Sequence, residues 1–328
     1  MTPPEAADAR GWIRRQSRWS PHEVVFWLLM LTPFVVFPTY LPLANQIAIT
    51  ALFALSVDLI LGYAGIVTMG HALFFGLGAY GAGILAIRTG WSEPLTGMLF
   101  GGLVAAAAGY VSSFLIVRVQ HLALLMVTMG MNLLAYKLAE KLSWLTGGTD
   151  GLLGSRPWPL LGYFRFDLWG NTAYGYSLAV LFVAFLCCRR LVNSSFGLSL
   201  RGARENLRRM PAIGADYAAH LRKVYVISAG LAGLAGALLA QSTATVGIEA
   251  ISFLRSADVL VMLILGGTGR LYGAMFGTII FMLARDRLAD INPEYWQLGI
   301  GLLLMVVVLF MPRGILGFVS RLSGRRQP

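Results

Sequence analysis

Apolar runs of roughly bilayer length follow one another along almost the whole chain. They fall at residues 23–40, 44–61, 64–87, 95–117, 121–143, 174–191, 223–243, 255–268, 271–288 and 296–312. A helix that crosses a bilayer needs about 20 mostly apolar residues. Only 12% of the residues are charged, whereas 57% are hydrophobic. Soluble domains carry about twice that charged share, so this chain has too little polar surface to enclose a core in water. An ordinary soluble enzyme and a disordered chain are both excluded. The pattern predicts an all-α polytopic membrane protein of about ten segments. The first run contains Pro33 and Pro38 and is expected to kink. The eighth opens onto Gly266, Gly267 and Gly269. Neither it nor the third need be a clean spanning helix.

Charge sets the expected orientation. The formal net charge is +11, yet no polar stretch is long enough to form a separate nucleic-acid-binding domain. Lys and Arg instead mark cytoplasmic loops. With the N-terminus inside, eighteen of the 26 basic residues fall on the cytoplasmic side and eight on the other. An even number of spans with both termini cytoplasmic follows; eight would keep the parity as well as ten. The expected layout is a cytoplasmic tail at 1–22, a membrane domain at 23–318 and a cytoplasmic tail at 319–328. Within it lie an external loop near 144–172 and a cytoplasmic segment near 192–222. The basic N-terminus before an apolar stretch has the look of a signal peptide. No small-x-small cleavage site follows, so an uncleaved first helix is expected. Cys187 and Cys188, adjacent in an apolar run, read as filler.

The cytoplasmic segment is rich in signal. Arg201, Arg204, Glu205, Asn206, Arg208 and Arg209 alternate with Leu200, Ala203 and Leu207 at helical spacing. Pro211 stops that piece, Gly214 allows a turn, and a second helix is expected near Asp216. A basic loop can simply set topology or lie on anionic headgroups. It can also dock a cytoplasmic partner. The chain has three lysines, and none completes a phosphate-binding G-x-x-x-x-G-K loop. If nucleotide drives this protein, the motor is another chain.

The 38 glycines concentrate at 59–85 and 263–280. Small residues let membrane helices approach closely. The two stretches align loosely: Ser56-x-Asp58 precedes Gly62 and Gly65, and Ser256-x-Asp258 precedes Gly266 and Gly269. Two weak internal repeats are inferred, as in transporters whose pathway runs between related halves. A carboxylate in hydrocarbon is costly and tends to face a cavity or a partner, which points to Asp58 as pathway lining. Asp258 follows Arg255 and Ser256 and is expected to cap a helix. His71 and His121 lack metal-binding companions and read as structural, with His71 suited to bonding across helices. Thr128 and Asn132, one turn apart, suit either the pathway or helix-to-helix polar contacts. The candidate pathway set is therefore Asp58, Gly62, Gly65, His71, Thr128, Asn132, Gly266, Gly267 and Gly269.

The run from Leu61 to Gly76, LGYAGIVTMGHALFFG, followed by Gly78-Ala-Tyr80, resembles the glycine-rich signature of branched-chain amino acid ABC permeases, closest to the LivM type. Four further stretches are similar to that family in the same order. They are Leu145–Leu152, Arg204-Glu-Asn206 with Ala212-x-Gly214, Leu231–Leu238, and Leu265–Gly269 with Pro312–Gly317. The resemblance covers roughly residues 40–318. It implies a permease subunit in a bacterial inner membrane. Its implied partners are a homologous second permease, two cytoplasmic ATPases that bind ATP and magnesium, an external substrate-binding protein and the lipid around it. It implies no cofactor held by this chain, no nucleic acid and no covalent chemistry. Movement would be alternating access, with Arg201, Arg204, Glu205, Asn206, Arg208 and Gly214 as the ATPase contact. Arg270 and Tyr272 depart from the family pattern, and urea and short-amide permeases share most of these motifs. An ion-coupled transporter using Asp58 is a second class. A membrane enzyme would need clustered His, Asp, Glu or Cys, which the sequence does not offer.

Overall fold

The computed structural model describes residues 21–36, 38–119, 121–154, 157–160, 162–167, 170–205, 216–311 and 314–317. They form an all-α membrane bundle. Its helices are α1 (Pro21–Leu29), α2 (Pro33–Val36), α3 (Leu41–Asp58), α4 (Ala72–Thr89), α5 (Pro94–Ile116), α6 (His121–Lys141) and α7 (Ser143–Thr146). They continue with α8 (Asn171–Val192), α9 (Ser195–Glu205), α10 (Tyr217–Thr243), α11 (Phe253–Gly266), α12 (Leu271–Ile291) and α13 (Trp296–Phe310). Two short strands, β1 (Leu152–Leu153) and β2 (Thr245–Val246), pair antiparallel and pin the 144–172 loop to the end of α10.

The helix α3 is the axis of the bundle. It is apolar on every side, and every residue from Ala51 to Ile60 is buried. A helix hydrophobic all round belongs inside a bundle. Helices α4, α5 and α10 pack beside it through glycine. A Cβ at Gly78 would lie 2.6 Å from the Gly233 carbonyl carbon, and one at Gly101 would lie 2.5 Å from the Gly78 oxygen. Only glycine permits these backbones to touch.

Among the described residues, six helical stretches are long and apolar enough to cross a membrane, and a bent pair raises this to seven. The expectation of ten segments is corrected at the first, eighth, ninth and tenth runs, while the third still spans but starts late. The first run is divided among α1, α2 and a 3-10 turn at Pro38–Tyr40, with prolines opening the second and third pieces. The third run is not helical before His71, and α4 starts only at Ala72. The eighth and ninth runs, α11 and α12, meet at 112°, the geometry of a broken or re-entrant span. The tenth run gives α13, a helix of 15 residues.

The loose repeat is not reproduced locally. Asp58 closes α3, whereas Asp258 sits inside α11. Nor does Asp258 cap that helix: Ser252 does, its Oγ accepting the Arg255 N–H at 3.3 Å. In the 192–222 segment, α9 ends at Glu205 and α10 begins at Tyr217. Asp216 caps α10 by accepting the Ala219 N–H at 3.0 Å. Asn206, Arg208 and Gly214 lie outside the described residues.

Candidate functional site

The site begins where α3 stops being an α-helix. After Asp58 the chain widens into a π-turn over Leu59–Tyr63, then runs without helix from Ala64 to Gly70. Such π-turns are concentrated at functional positions. Gly65 has φ +73, a left-handed conformation that glycine adopts freely. The Ile66 N–H reaches back to the Ile60 carbonyl at 3.1 Å and fixes the exit.

Opposite this break lies the second one. Gly267 and Gly269, with φ +104 and +78, make the turn between α11 and α12. The two breaks touch. A Cβ at Gly62 would lie 2.6 Å from Gly269 Cα. Gly269 donates its N–H to Asp58 Oδ1 at 2.8 Å. Asp58 is wholly buried, and its Oδ2 has no hydrogen-bond partner among the described residues. Gly266 closes against Gly273 one turn into α12, and Gly314 packs on Gly267 from the C-terminal side.

A third element completes the cluster. Arg204, on α9, donates from Nη1 to the Gly62 carbonyl. Its stem fills the space beside Gly65, where a Cβ would sit 2.7 Å from Arg204 Cγ. Arg201, one turn earlier, lies over the Tyr63 ring at 5.2 Å. A cation over an aromatic face is stabilising by about 0.5–1 kcal/mol at an exposed site. The arginines of α9 thus hold the helix against the π-turn. Glu205 is exposed beside them. A cavity of about 480 Å³ opens next to this contact, lined by Gly65, Ile116, Ala203, Arg204, Tyr217 and Leu221.

The remaining sequence candidates lie elsewhere. His71 is buried at the start of α4, with Nε2 2.7 Å from Ser228 Oγ on α10. Ser228 in turn donates to the Ser56 carbonyl of α3. The first N–H of α4, at Ala72, is taken by Ser256 Oγ of α11 at 2.9 Å. These bonds tie four helices together. Thr128 and Asn132 are buried on α6, whose other faces are largely open. Thr128 Oγ1 accepts the Met69 N–H at 3.3 Å, and Asn132 Nδ2 donates to the Ile251 carbonyl at 2.9 Å.

The structure therefore gathers Asp58, Gly62, Gly65, Gly269, Arg201 and Arg204 at one point, with Gly266 and Gly267 bordering it. His71, Thr128 and Asn132 act as ties between helices. Sequence reasoning missed two charged contacts. Arg189, counted only as a topology signal, pairs with Glu23 at 2.6 Å and joins α1 to α8. Arg255, likewise counted, stands over the Phe75 ring at 4.6 Å.

The family model described as branched-chain amino acid transport system / permease component matches residues 39–309. The chain is 26% identical to the high-affinity branched-chain amino acid transport system permease protein LivM of Salmonella typhimurium, over 87% of this chain and 71% of that one. It is also 26% identical to the LivH permease protein of that system in Escherichia coli, over 81% and 91%. A probable LivM permease of Methanocaldococcus jannaschii is 32% identical over 42% of this chain and 45% of its own. No solved structure matches.

Proposed function

Because the chain belongs to the branched-chain amino acid transport system permease component family, we propose that the contact of α9 with the two helix breaks carries force into its membrane gate. The protein is a multi-pass membrane permease subunit of a branched-chain amino acid ABC importer. Similarity to both LivM and LivH supports a homologous second permease as its partner. Two cytoplasmic ATPases and an external binding protein complete the proposed importer, which sits in the bacterial inner membrane with both termini in the cytoplasm. ATP and magnesium belong to the ATPases, and this chain moves substrate without covalent chemistry.

The observation that carries the proposal is the Arg204–Gly62–Gly269–Asp58 cluster. A push on α9 reaches the π-turn through the Arg204 bond to Gly62. It reaches the α11–α12 turn through Gly269 and Asp58. Both turns are interrupted helices, where backbone angles change at low cost. In this mechanism ATP binding draws the ATPases together. They displace α9, and the two breaks shift against each other to exchange outward for inward access. Glu205, exposed at the end of α9, meets the ATPase together with Asn206, Arg208 and Gly214.

The test uses the assembled importer in proteoliposomes. Glu205→Lys should lower leucine uptake at least tenfold while ATP hydrolysis and expression continue. Uptake at the unmodified rate would remove Glu205 from the ATPase contact.

A further inference from the structure

At the opposite end of the bundle from Arg204, helices α3, α10, α11 and α12 line a second cavity, of about 360 Å³. Its position follows from the chain. It is lined by Leu43 and Gln46 near the start of α3, Arg255 and Asp258 near the start of α11, and Arg285 and Asp286 near the end of α12. The Asp58–Gly269 cluster lies at the other ends of the same helices. The volume falls toward the lower end of the roughly 300–1,000 Å³ usual for small-molecule sites.

Its wall is unusual in carrying two arginines and two aspartates between apolar helices. Among the described residues, none of the four closes an ion pair with another within 4 Å. Each arginine instead lies over an aromatic ring. Arg255 stands 4.6 Å over Phe75, and Arg285 4.9 Å over Trp296. A guanidinium over a ring keeps its N–H groups as donors. Charges in membrane segments face partners or polar cavities, because leaving them unpaired in hydrocarbon is costly. The rest of the wall sets Gln46 and Thr50 among apolar, adaptable side chains that include Leu239, Val259, Met262 and Met282.

We propose that this cavity is a transit subsite for a zwitterionic α-amino acid. Arg255 and Arg285 receive the carboxylate, Asp258 and Asp286 receive the ammonium, and the Met262–Met282 wall receives the branched side chain. A zwitterion has no net charge but must have both ends matched to leave water. A wall with equal numbers of each sign does this for an amino acid, whereas a purely basic or acidic wall would not. The subsite rests on the importer reading above and gives it a place of substrate contact within this chain. A phosphatidylethanolamine headgroup also pairs an anion with an ammonium, so the experiment must separate the two.

The complex of this chain with its permease and ATPase partners is placed in phosphatidylglycerol nanodiscs, without binding protein, and titrated with radiolabelled L-leucine. Leucine should compete at least tenfold better than 4-methylpentanoate, which lacks the ammonium, or leucine methyl ester, which lacks the carboxylate. The pair Arg255→Gln and Arg285→Gln should weaken leucine at least tenfold. The pair Asp258→Asn and Asp286→Asn should weaken leucine and narrow its advantage over 4-methylpentanoate. ATP hydrolysis in the variants reports an intact complex, and single substitutions replace any pair that fails to assemble. No leucine binding to the unaltered complex, equal competition by the singly charged analogues, or unaltered binding by the variants would overturn the subsite. So would retention of phosphatidylethanolamine that leucine cannot displace and that the variants abolish. Leucine uptake by the unaltered importer is measured in parallel. Uptake that proceeds while the subsite fails leaves the importer reading standing; absence of any branched-chain uptake removes that reading itself.

Discussion

Asp58 and Gly269 are 211 residues apart in sequence and joined by a 2.8 Å hydrogen bond. That bond fastens the end of the central helix to the turn of the bent pair. An acceptor removed from a buried donor leaves the donor unsatisfied, at a cost of about 1–3 kcal/mol.

Asp58→Ala is therefore expected to destabilise the purified protein by about 1–3 kcal/mol. Asp58→Asn retains a carbonyl oxygen for the Gly269 N–H and should lose less. Thermal unfolding in one detergent, followed by tryptophan fluorescence, compares the two. Equal loss in both would mean that the carboxylate matters for something other than this bond.

Close approach makes a second, sharper test. A methyl group at Gly62 would run into the Gly269 backbone as well as the Asp58 carboxylate. Backbone cannot step aside as a side-chain tip can, so Gly62→Ala should cost about 1–3 kcal/mol, the range for overpacking. Gly130, in α6, has open space where a Cβ would go and is exposed. Gly130→Ala should leave stability unchanged or raise it slightly, since alanine suits a helix better. Assembled yield from membranes and unfolding temperature both read this contrast.

Much of this cluster was legible before any coordinates because each member is an anomaly where it stands. Asp58 is a carboxylate in an apolar run, and Gly62, Gly65 and Gly269 interrupt helical patterns. Arg204 is basic on an amphipathic face. What sequence could not give was their meeting. Arg204 and Gly62 are 142 residues apart, and no local periodicity records a contact of that range. The span count failed for a related reason. Hydropathy registers 271–288 as a spanning run, but not that Gly267 and Gly269 fold the helix before it back by 112°. In the sequence, Arg255 and Arg285 show only their charge. That their helices would bring them to one cavity with Asp258 and Asp286 depends on the packing of α11 against α12.

His71 and Ser228 give a prediction of a different kind. Their 2.7 Å bond lies in the body of the bundle, apart from the Arg204 cluster. Ser228→Ala should leave the imidazole Nε2 without its partner and cost about 1–3 kcal/mol. The Michaelis constant for uptake should stay the same in folded protein. A His71→Phe and Ser228→Ala pair should cost less than the sum of the single changes, since both remove one bond. A changed Michaelis constant with unchanged stability would instead move His71 into the pathway.

Arg204 separates holding from pushing. Its guanidinium donates to the Gly62 carbonyl while its stem lies against Gly65. Lysine keeps the charge but not the planar fork of donors, so Arg204→Lys tests geometry and Arg204→Ala tests the contact as a whole. If α9 transmits motion through this bond, Arg204→Ala should lower leucine uptake at least tenfold in the assembled importer. ATP hydrolysis should continue, because the proposed importer carries it out in other chains. Arg204→Lys should fall between the two. Hydrogen exchange supplies the physical readout. Amides from Gly62 to Ile66 should exchange faster in Arg204→Ala, since local opening follows the loss of the contact that holds the segment. Those near the start of α5, where Pro94 meets Gln241 at the far end of the bundle, should not change. Faster exchange at Gly62–Ile66 with uptake intact would make Arg204 a fastener only, and force would then have to enter the gate through another contact of α9, with Arg201 on Tyr63 the first to examine.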